Sequence, residues 1–409
     1  MLTYIYELID KSQGSISISD FMNAALYHKE YGYYMNKLPL GNGGDFITAP
    51  EISQLFGEII AVWVMHTWKK LGKPPKFSLV ELGPGRGTLI HDIIRVTKKY
   101  GSFFSSMAIH LVEISPTLQK IQKEKLKGLG ISWHENIDSL PEQPTIFLAN
   151  EFFDALPIDQ FVYRNGKWHE NRVTKQNDGA SSQCPFLVTP LLNTRIQKKD
   201  PSKLALKSRK KNVVTSLSLS CHPSAPSFLS HCLTLGSRKI DRKQAHYSTF
   251  SMKLQKNWIP VSSNGMTEGF DGAVVEVCSA GIEVLKKLED KIMNNGGAAL
   301  IIDYGYVYPS HKSTLQSVRQ HKYANFLENV GNSDITALVN FQALRDSLRY
   351  VDCEISTQRE FLYLFGIKER TQALMENASD EQKNRIFSEF LRLTENMGTL
   401  FKAILIHHS

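Results

Sequence analysis

Along most of the chain, short apolar runs alternate with stretches whose apolar residues recur at helical spacing. The runs at 78–81, 109–113 (IHLVE), 131–134, 145–150 (TIFLAN) and 297–303 (GAALIID) read as buried strands, and 400–407 as an apolar closing strand. Between them, Leu89, Ile90, Ile93 and Ile94 mark a helix opened by Thr88. Ser115 caps another that runs to 127 with Pro116 at its first position, and 281–294 forms a third. Residues 1–36 read as helices, Ser19 capping the one that carries Phe21, Met22, Ala25 and Leu26. Thr48 and Glu51 have the spacing of a capping box, expected to start one long helix to about residue 71. Residues 160–173 read as a hairpin turning at Asn165-Gly166. This alternation predicts an α/β protein with a mostly parallel sheet and right-handed crossovers. In such sheets ligands bind at the carboxyl ends of the strands. Glu81, Glu113, residues 150–154 (beginning at Asn150) and Asp303 are therefore expected to converge on one crevice.

The turn after the first core strand decides the ligand class. It runs E-x-G-x-G-x-G from Glu81 to Gly87, through Gly83 and Gly85. A dinucleotide fingerprint would need glycine at position 88, which is Thr88. The pattern resembles the first motif of class I S-adenosylmethionine methyltransferases, where no pyrophosphate has to be cradled. Glu113 ends the next strand 26 residues beyond Gly87, placed to accept both ribose hydroxyls of a nucleoside. Glu81 either reaches the amino-acid end of the donor through water or buttresses the turn.

Composition narrows the class further. Hydrophobic residues make up 42% and charged residues 22% of the 409, ordinary for a globular protein. No apolar run approaches the roughly 20 residues of a membrane helix. Five cysteines without a CxxC or a Cys/His cluster exclude zinc and a disulfide framework as expectations. The net charge of +8 invites a nucleic-acid reading, but its location argues against one. Residues 175–256 hold 15 Lys/Arg and 3 Asp/Glu, leaving 33 basic against 37 acidic residues elsewhere. Within that stretch, 177–251 is Ser-, Lys- and Pro-rich without sustained periodicity and reads as a poorly packed insertion.

Seven ordered segments carry a more specific resemblance: GDFITAPEISQLFGE at 44–58, VELGPGRGTL at 80–89, VEISP at 112–116, NEFFDALP at 150–157, EVCSAG at 276–281, GGAALIIDYG at 296–305 and DITALVNF at 334–341. Together they resemble the MidA-like family of S-adenosylmethionine-dependent methyltransferases, over nearly the whole chain outside the insertion. The resemblance implies S-adenosyl-L-methionine as cofactor and a class I, Rossmann-like sheet with an N-terminal helical cap and insertions. Donor contacts are expected from Glu81, Gly83, Gly85, Gly87, Glu113, Asn150 and Asp45, and no metal. Mitochondrial members of that family assist assembly of respiratory complex I by methylating an arginine of a core subunit. The expected partner is thus a protein, such as a complex I core subunit, rather than a nucleic acid or a membrane. The N-terminus has neither a signal-peptide nor an import layout, which points to a bacterial cytoplasmic member, with the mitochondrial matrix as the alternative.

For a guanidinium acceptor, carboxylates are the natural tools, because they bind its planar fork bidentately. NEFFD offers acids where the Asn-Pro-Pro-Tyr motif of base and amide methylation is absent. Glu151 is read as the guanidinium ligand and Asp154 as its support, or else as the cap of the next helix, with only Glu151 meeting ligand. Asp303 at its strand end and His321 in the late loop are each read as either crevice-facing or structural. The expected division is a cap at 1–72, methyltransferase core at 73–176 and 257–309, the basic insertion at 177–256, a substrate-side insertion at 310–345, and a C-terminal part of the core at 346–409. Two other functions remain on the sequence: a donor-binding assembly chaperone with little turnover, and a methyltransferase for RNA or a small molecule.

Overall fold

The computed structural model describes residues 1–36, 47–176, 185–192, 271–308, 311–319 and 322–408. Asp45, His321 and most of the segment 177–251 lie outside the described residues.

The core is an eight-stranded sheet. Five strands run parallel in the spatial order Ile131–His134, Met107–Val112, Phe77–Leu82, Thr145–Asn150, Gly297–Tyr306. Phe401–His407 and then Asp352–Thr357 add antiparallel to the far edge, and Val339–Asn340 pairs with the end of Gly297–Tyr306. Period-two alternation assigns the faces. Leu79, Ile109, Ile146, Leu300 and Ala403 join one core with Ile59, Trp63, Ile90 and Ile93 of the helices Gln54–Lys70 and Thr88–Thr97. Val80, Phe147, Ile301 and Ile404 join the other with Leu285, Leu288 and Ile292 of Ser279–Asn295. Every predicted core strand is present, the closing strand among them.

A second layer covers the carboxyl-end side. The hairpin Asp159–Arg164/Lys167–Lys175 does turn at Asn165 (φ 50°) and Gly166 (φ 74°). It forms a five-stranded sheet with Ile16–Ser17, Val274–Val277 and Phe186–Leu192. The helices Leu2–Lys11 and Ile18–Tyr27 pack on it through Ile5, Ile9, Phe21 and Met22. Leu327 and Ile335, from the late insertion with its small sheet of Gln316–Arg319, Lys322–Ala324 and Asp334–Thr336, join the same core.

Three local expectations are corrected. The cap of the second helix is Ser17, not Ser19: Ser17 Oγ accepts from Asp20 N (2.9 Å) and Asp20 Oδ2 accepts from Ser17 N (3.3 Å). Pairing of Ile16–Ser17 with Val173 and Arg172 holds Ser17 extended, and the helix starts after it. Thr48 and Glu51 form no capping box. A single turn, Ala49–Ile52, breaks at the extended Ser53 (φ −157°, ψ 138°), whose Oγ caps Gln54–Lys70 and donates to Glu389 Oε2 (2.6 Å). Finally, the segment read as unperiodic contains the strand Phe186–Leu192. Pro190 obscures it in the sequence, yet proline is tolerated on an edge strand. Buried Phe186 anchors it against Phe21, ring centroids 5.8 Å apart.

Glu58 ties three helices together. It is 4% exposed, and its carboxylate accepts from Arg95 Nη1 (3.0 Å) and Arg370 Nε (2.6 Å). Glu58→Ala removes both charge-assisted bonds, leaving Arg95 with only its ion pair to Asp92 (3.2 Å) and removing the carboxylate that Arg370 pairs with, so urea unfolding should show a loss of about 2–3 kcal/mol.

Candidate active site

The strand ends meet as expected. Glu81, Glu113, Asn150, Glu151, Asp154 and Asp303 lie at the carboxyl ends of four adjacent strands. The glycine turn takes positive φ at 83, 85 and 87 (59°, 52° and 73°). At Gly83 a Cβ would stand 2.7 Å from Phe152 Cδ2, so glycine is required both by conformation and by space.

Glu81 is 3% exposed. Its Oε2 is buried without a partner. Burial, aided by the charge of Glu113, pushes the group up to about 8. Glu113 is also raised to about 7 by burial, against the pull of its donors. Its Oε1 accepts from Ser115 N (2.8 Å) and its Oε2 from Gln122 Nε2 (3.2 Å). Gln122 is fully buried, and the same Nε2 also donates to the Gly85 carbonyl (2.7 Å), while Trp133 Nε1 donates to its Oε1 (2.9 Å). One amide thus fixes the glycine turn relative to Glu113. The sequence reading missed it, although a polar residue on the Leu118–Leu126 stripe at i+4 spacing is a visible signal.

On the neighbouring strand Gly297–Tyr306, Asp303 is fully buried. Its Oδ2 accepts from the backbone N–H groups of Phe152 (3.0 Å), Phe153 (2.8 Å) and Asp154 (3.3 Å), and its Oδ1 from Tyr304 N (2.8 Å). Of its two sequence readings, the structure shows the structural one. Glu151 has φ 52°, a left-handed conformation uncommon for a residue with a side chain. Its Oε1 accepts from Ala49 N (2.8 Å) and Asn150 Nδ2 (3.1 Å), and Asn150 Oδ1 is buried without a partner. Burial raises Glu151 to about 7, with Asp303 adding to the shift and Arg392 opposing it. Asp154 lies well above its ordinary value, through burial first and then the charges of Asp303, Asp334 and Glu151. Among the described residues, Glu151, Asp154 and Asp303 form no ion pair. Glu51, freed from any capping role, accepts from the Thr88 hydroxyl, to which Lys125 Nζ donates (2.5 Å).

The unpartnered Glu81 and Asn150 oxygens are acceptors, as is the Glu113 carboxylate, which Gln122 ties to the glycine turn. An S-adenosylmethionine molecule offers donors to all three: an ammonium, an exocyclic amine and a ribose diol. The residues present fit that group.

Comparison with known proteins agrees with this chemistry. The S-adenosyl-L-methionine-dependent methyltransferase family profile matches residues 59–357. The chain is 30% identical to the mitochondrial protein arginine methyltransferase NDUFAF7 of Xenopus tropicalis, over 96% of this chain and 82% of that one. It is 31% identical to the NDUFAF7 of Mus musculus, over 97% and 82%. In fold it is similar to a COG1565 superfamily member from Burkholderia thailandensis bound to S-adenosyl-homocysteine, with TM-score 0.73, 22% identity, and coverage of 99% of this chain and 91% of that one.

Two expectations follow from the geometry. Gln122→Leu frees the glycine turn from Glu113, and the KM for the methyl donor should rise about tenfold with kcat little changed, measured by steady-state kinetics. The carboxyls Glu81, Glu113, Glu151 and Asp303 bind protons more tightly folded than unfolded. Their contribution to stability is complete below about pH 4.5 and is lost as pH rises through about 7 to 8. The thermal midpoint of the ligand-free protein should therefore fall between pH 6 and pH 8.5, as followed by calorimetry.

Proposed function

We propose that this chain, which belongs to the S-adenosyl-L-methionine-dependent methyltransferase family, transfers the methyl group to an arginine side chain of a protein. The observation that carries the acceptor class is the group of buried and half-buried carboxylates at 151, 154 and 303, without an ion pair among the described residues. Mutually repelling carboxylates held this way favour a cation at Glu151 and Asp154, with the buried Asp303 adding to the field. The arginine named for the mitochondrial relatives is such a cation, and by the resemblance to the MidA-like family a respiratory complex I core subunit is the protein target we assign.

The division of labour follows from position. Glu113 holds the ribose hydroxyls, the turn at Gly83, Gly85 and Gly87 admits the donor against the backbone, and Glu81 with Asn150 accepts from its amine groups. S-adenosylmethionine, when bound, supplies a methyl group on a sulfonium sulfur, which departs as a neutral thioether. Glu151 and Asp154 bind the guanidinium fork and draw its positive charge toward the nitrogens that do not react. Glu151 then takes the proton that the reacting nitrogen gives up, a task suited to a carboxyl titrating near 7. Asp303 contacts neither ligand. It holds the loop that carries the other two.

The test supplies methyl-labelled S-adenosylmethionine to the purified protein together with an extract of cells lacking it. Hydrolysis of the labelled protein should return methylarginine. Glu151→Gln should lower the rate about a hundredfold or more while S-adenosylhomocysteine still binds. Label in another amino acid, or donor binding with no labelled protein, overturns the arginine reading, the second result in favour of a donor-binding chaperone.

A further inference from the structure

The side chain of Glu151 is held from outside the sheet. Both hydrogen bonds to its carboxylate end on Oε1, from Ala49 N (2.8 Å) and Asn150 Nδ2 (3.1 Å), which leaves Oε2 to accept from a ligand. Ala49 opens the single turn Ala49–Ile52. Pro50 has no N–H, and the N–H groups of Glu51 and Ile52 both return to the Thr48 carbonyl (2.9 and 3.1 Å), so the Ala49 N–H is the one the turn directs outward. Four residues of helix do not hold their own place. Ala49 is buried, but Pro50, Glu51 and Ile52 line a cavity of about 510 Å³ shared with Leu374 and Ile386 of the helices Ile367–Glu376 and Asp380–Leu391. Two polar ties set the turn beside that space. Glu51 accepts from the Thr88 hydroxyl, and Ser53, next after the turn, donates through Oγ to Glu389 Oε2 (2.6 Å). Glu389 meets the exposed Arg385 with its other oxygen, at 3.7 Å.

We infer that Glu389, acting through Ser53, is a positioning residue for Glu151: its tie sets the turn whose Ala49 N–H claims Oε1 and so presents Oε2 to the substrate cation. The inference rests on the arginine reading. The last torsion of a glutamate side chain is broad, so burial by itself does not decide which oxygen faces a ligand. Two donors on the same oxygen do decide it. Asn150 is the neighbour of Glu151 in the chain and moves with it, whereas Ala49 belongs to another part of the fold and gives the carboxylate a fixed reference. Asp303 fixes the backbone of the loop at 152–154, and the turn fixes the side chain that leaves it at 151. A guanidinium fork needs its carboxylate in plane and at the right height, which makes binding sensitive to a small shift of that reference.

The experiment titrates the full chain, loaded with S-adenosylhomocysteine, with an acetyl-Gly-Arg-Gly-amide peptide and its citrulline counterpart. The wild-type protein should prefer the arginine peptide. Glu389→Ala should weaken arginine-peptide binding about fivefold, with citrulline-peptide and S-adenosylhomocysteine affinities within about twofold of wild type. Glu389→Gln, whose amide oxygen still accepts from Ser53, should bind the arginine peptide within about twofold of wild type, since an exposed ion pair with Arg385 contributes little. Ser53→Ala should match Glu389→Ala, and the double variant should lose no more than either alone. Three results overturn the inference while leaving the arginine reading intact: unchanged arginine-peptide binding in Glu389→Ala, equal weakening of both peptides, or no recovery in Glu389→Gln. A wild-type protein that does not distinguish arginine from citrulline overturns the arginine reading itself.

Discussion

The buried carboxylate of Asp303 accepts four backbone N–H groups, three of them from the loop that leaves the neighbouring strand. Parallel pairing of Asn150 with Ile302 puts that loop beside it. The arrangement over-determines the turn, which is what a left-handed glutamate requires: the conformation at Glu151 is unfavourable by itself and persists because its surroundings leave no alternative. The consequence reaches across the crevice. Phe152, held by Asp303, lies where a side chain at Gly83 would have to go. The loop at 151–154 and the glycine turn are therefore parts of one packed object, and a change in either is felt by the other.

How much of this was legible in the sequence depended on the range of the interaction. The core strands, the hairpin turn and the helix from Thr88 were readable because period-two and helical patterns, and the Asn-Gly pair, are local. The convergence at the strand ends followed from the parallel-sheet rule once the strands were placed. The errors fall where a distant partner outvotes a local signal. Ser19 loses to Ser17 because a strand some 150 residues away holds Ser17 extended. Thr48 loses to Ser53, whose hydroxyl also bonds Glu389, and Glu51 turns to Thr88. Ser53 and Glu389 stand 336 positions apart, and no spacing in the chain connects them.

The layer above the sheet is likewise assembled from remote pieces. The N-terminal helices, the hairpin after the fourth core strand, Phe186–Leu192 and the late insertion share one hydrophobic core. The strand Val274–Val277 belongs to this layer too, and among the described residues after Phe186–Leu192 the helix Ser279–Asn295 is the first to pack on the eight-stranded sheet. This layer is assembled from segments far apart in the chain, and they meet beside the loop at 151–154.

The electrostatics of the crevice then has a single logic. Burial dominates each carboxyl, so in the ligand-free protein Glu81, Glu113, Glu151 and Asp303 retain protons up to near-neutral or higher pH. Hydrogen bonds from backbone and amide groups pull in the opposite direction without prevailing. Both reactants of an arginine methylation are cations, a sulfonium and a guanidinium, and they would repel each other in an uncharged cleft. Carboxyls that hold protons when alone and release them as cations arrive can offset each positive charge in turn, without leaving a cluster of bare anions in the interior between turnovers. Under the proposed arginine methylation, that reciprocity accounts for the acids at 81, 113, 151 and 154, while the hydrogen bonds of Asp303 fix where the loop beside it lies.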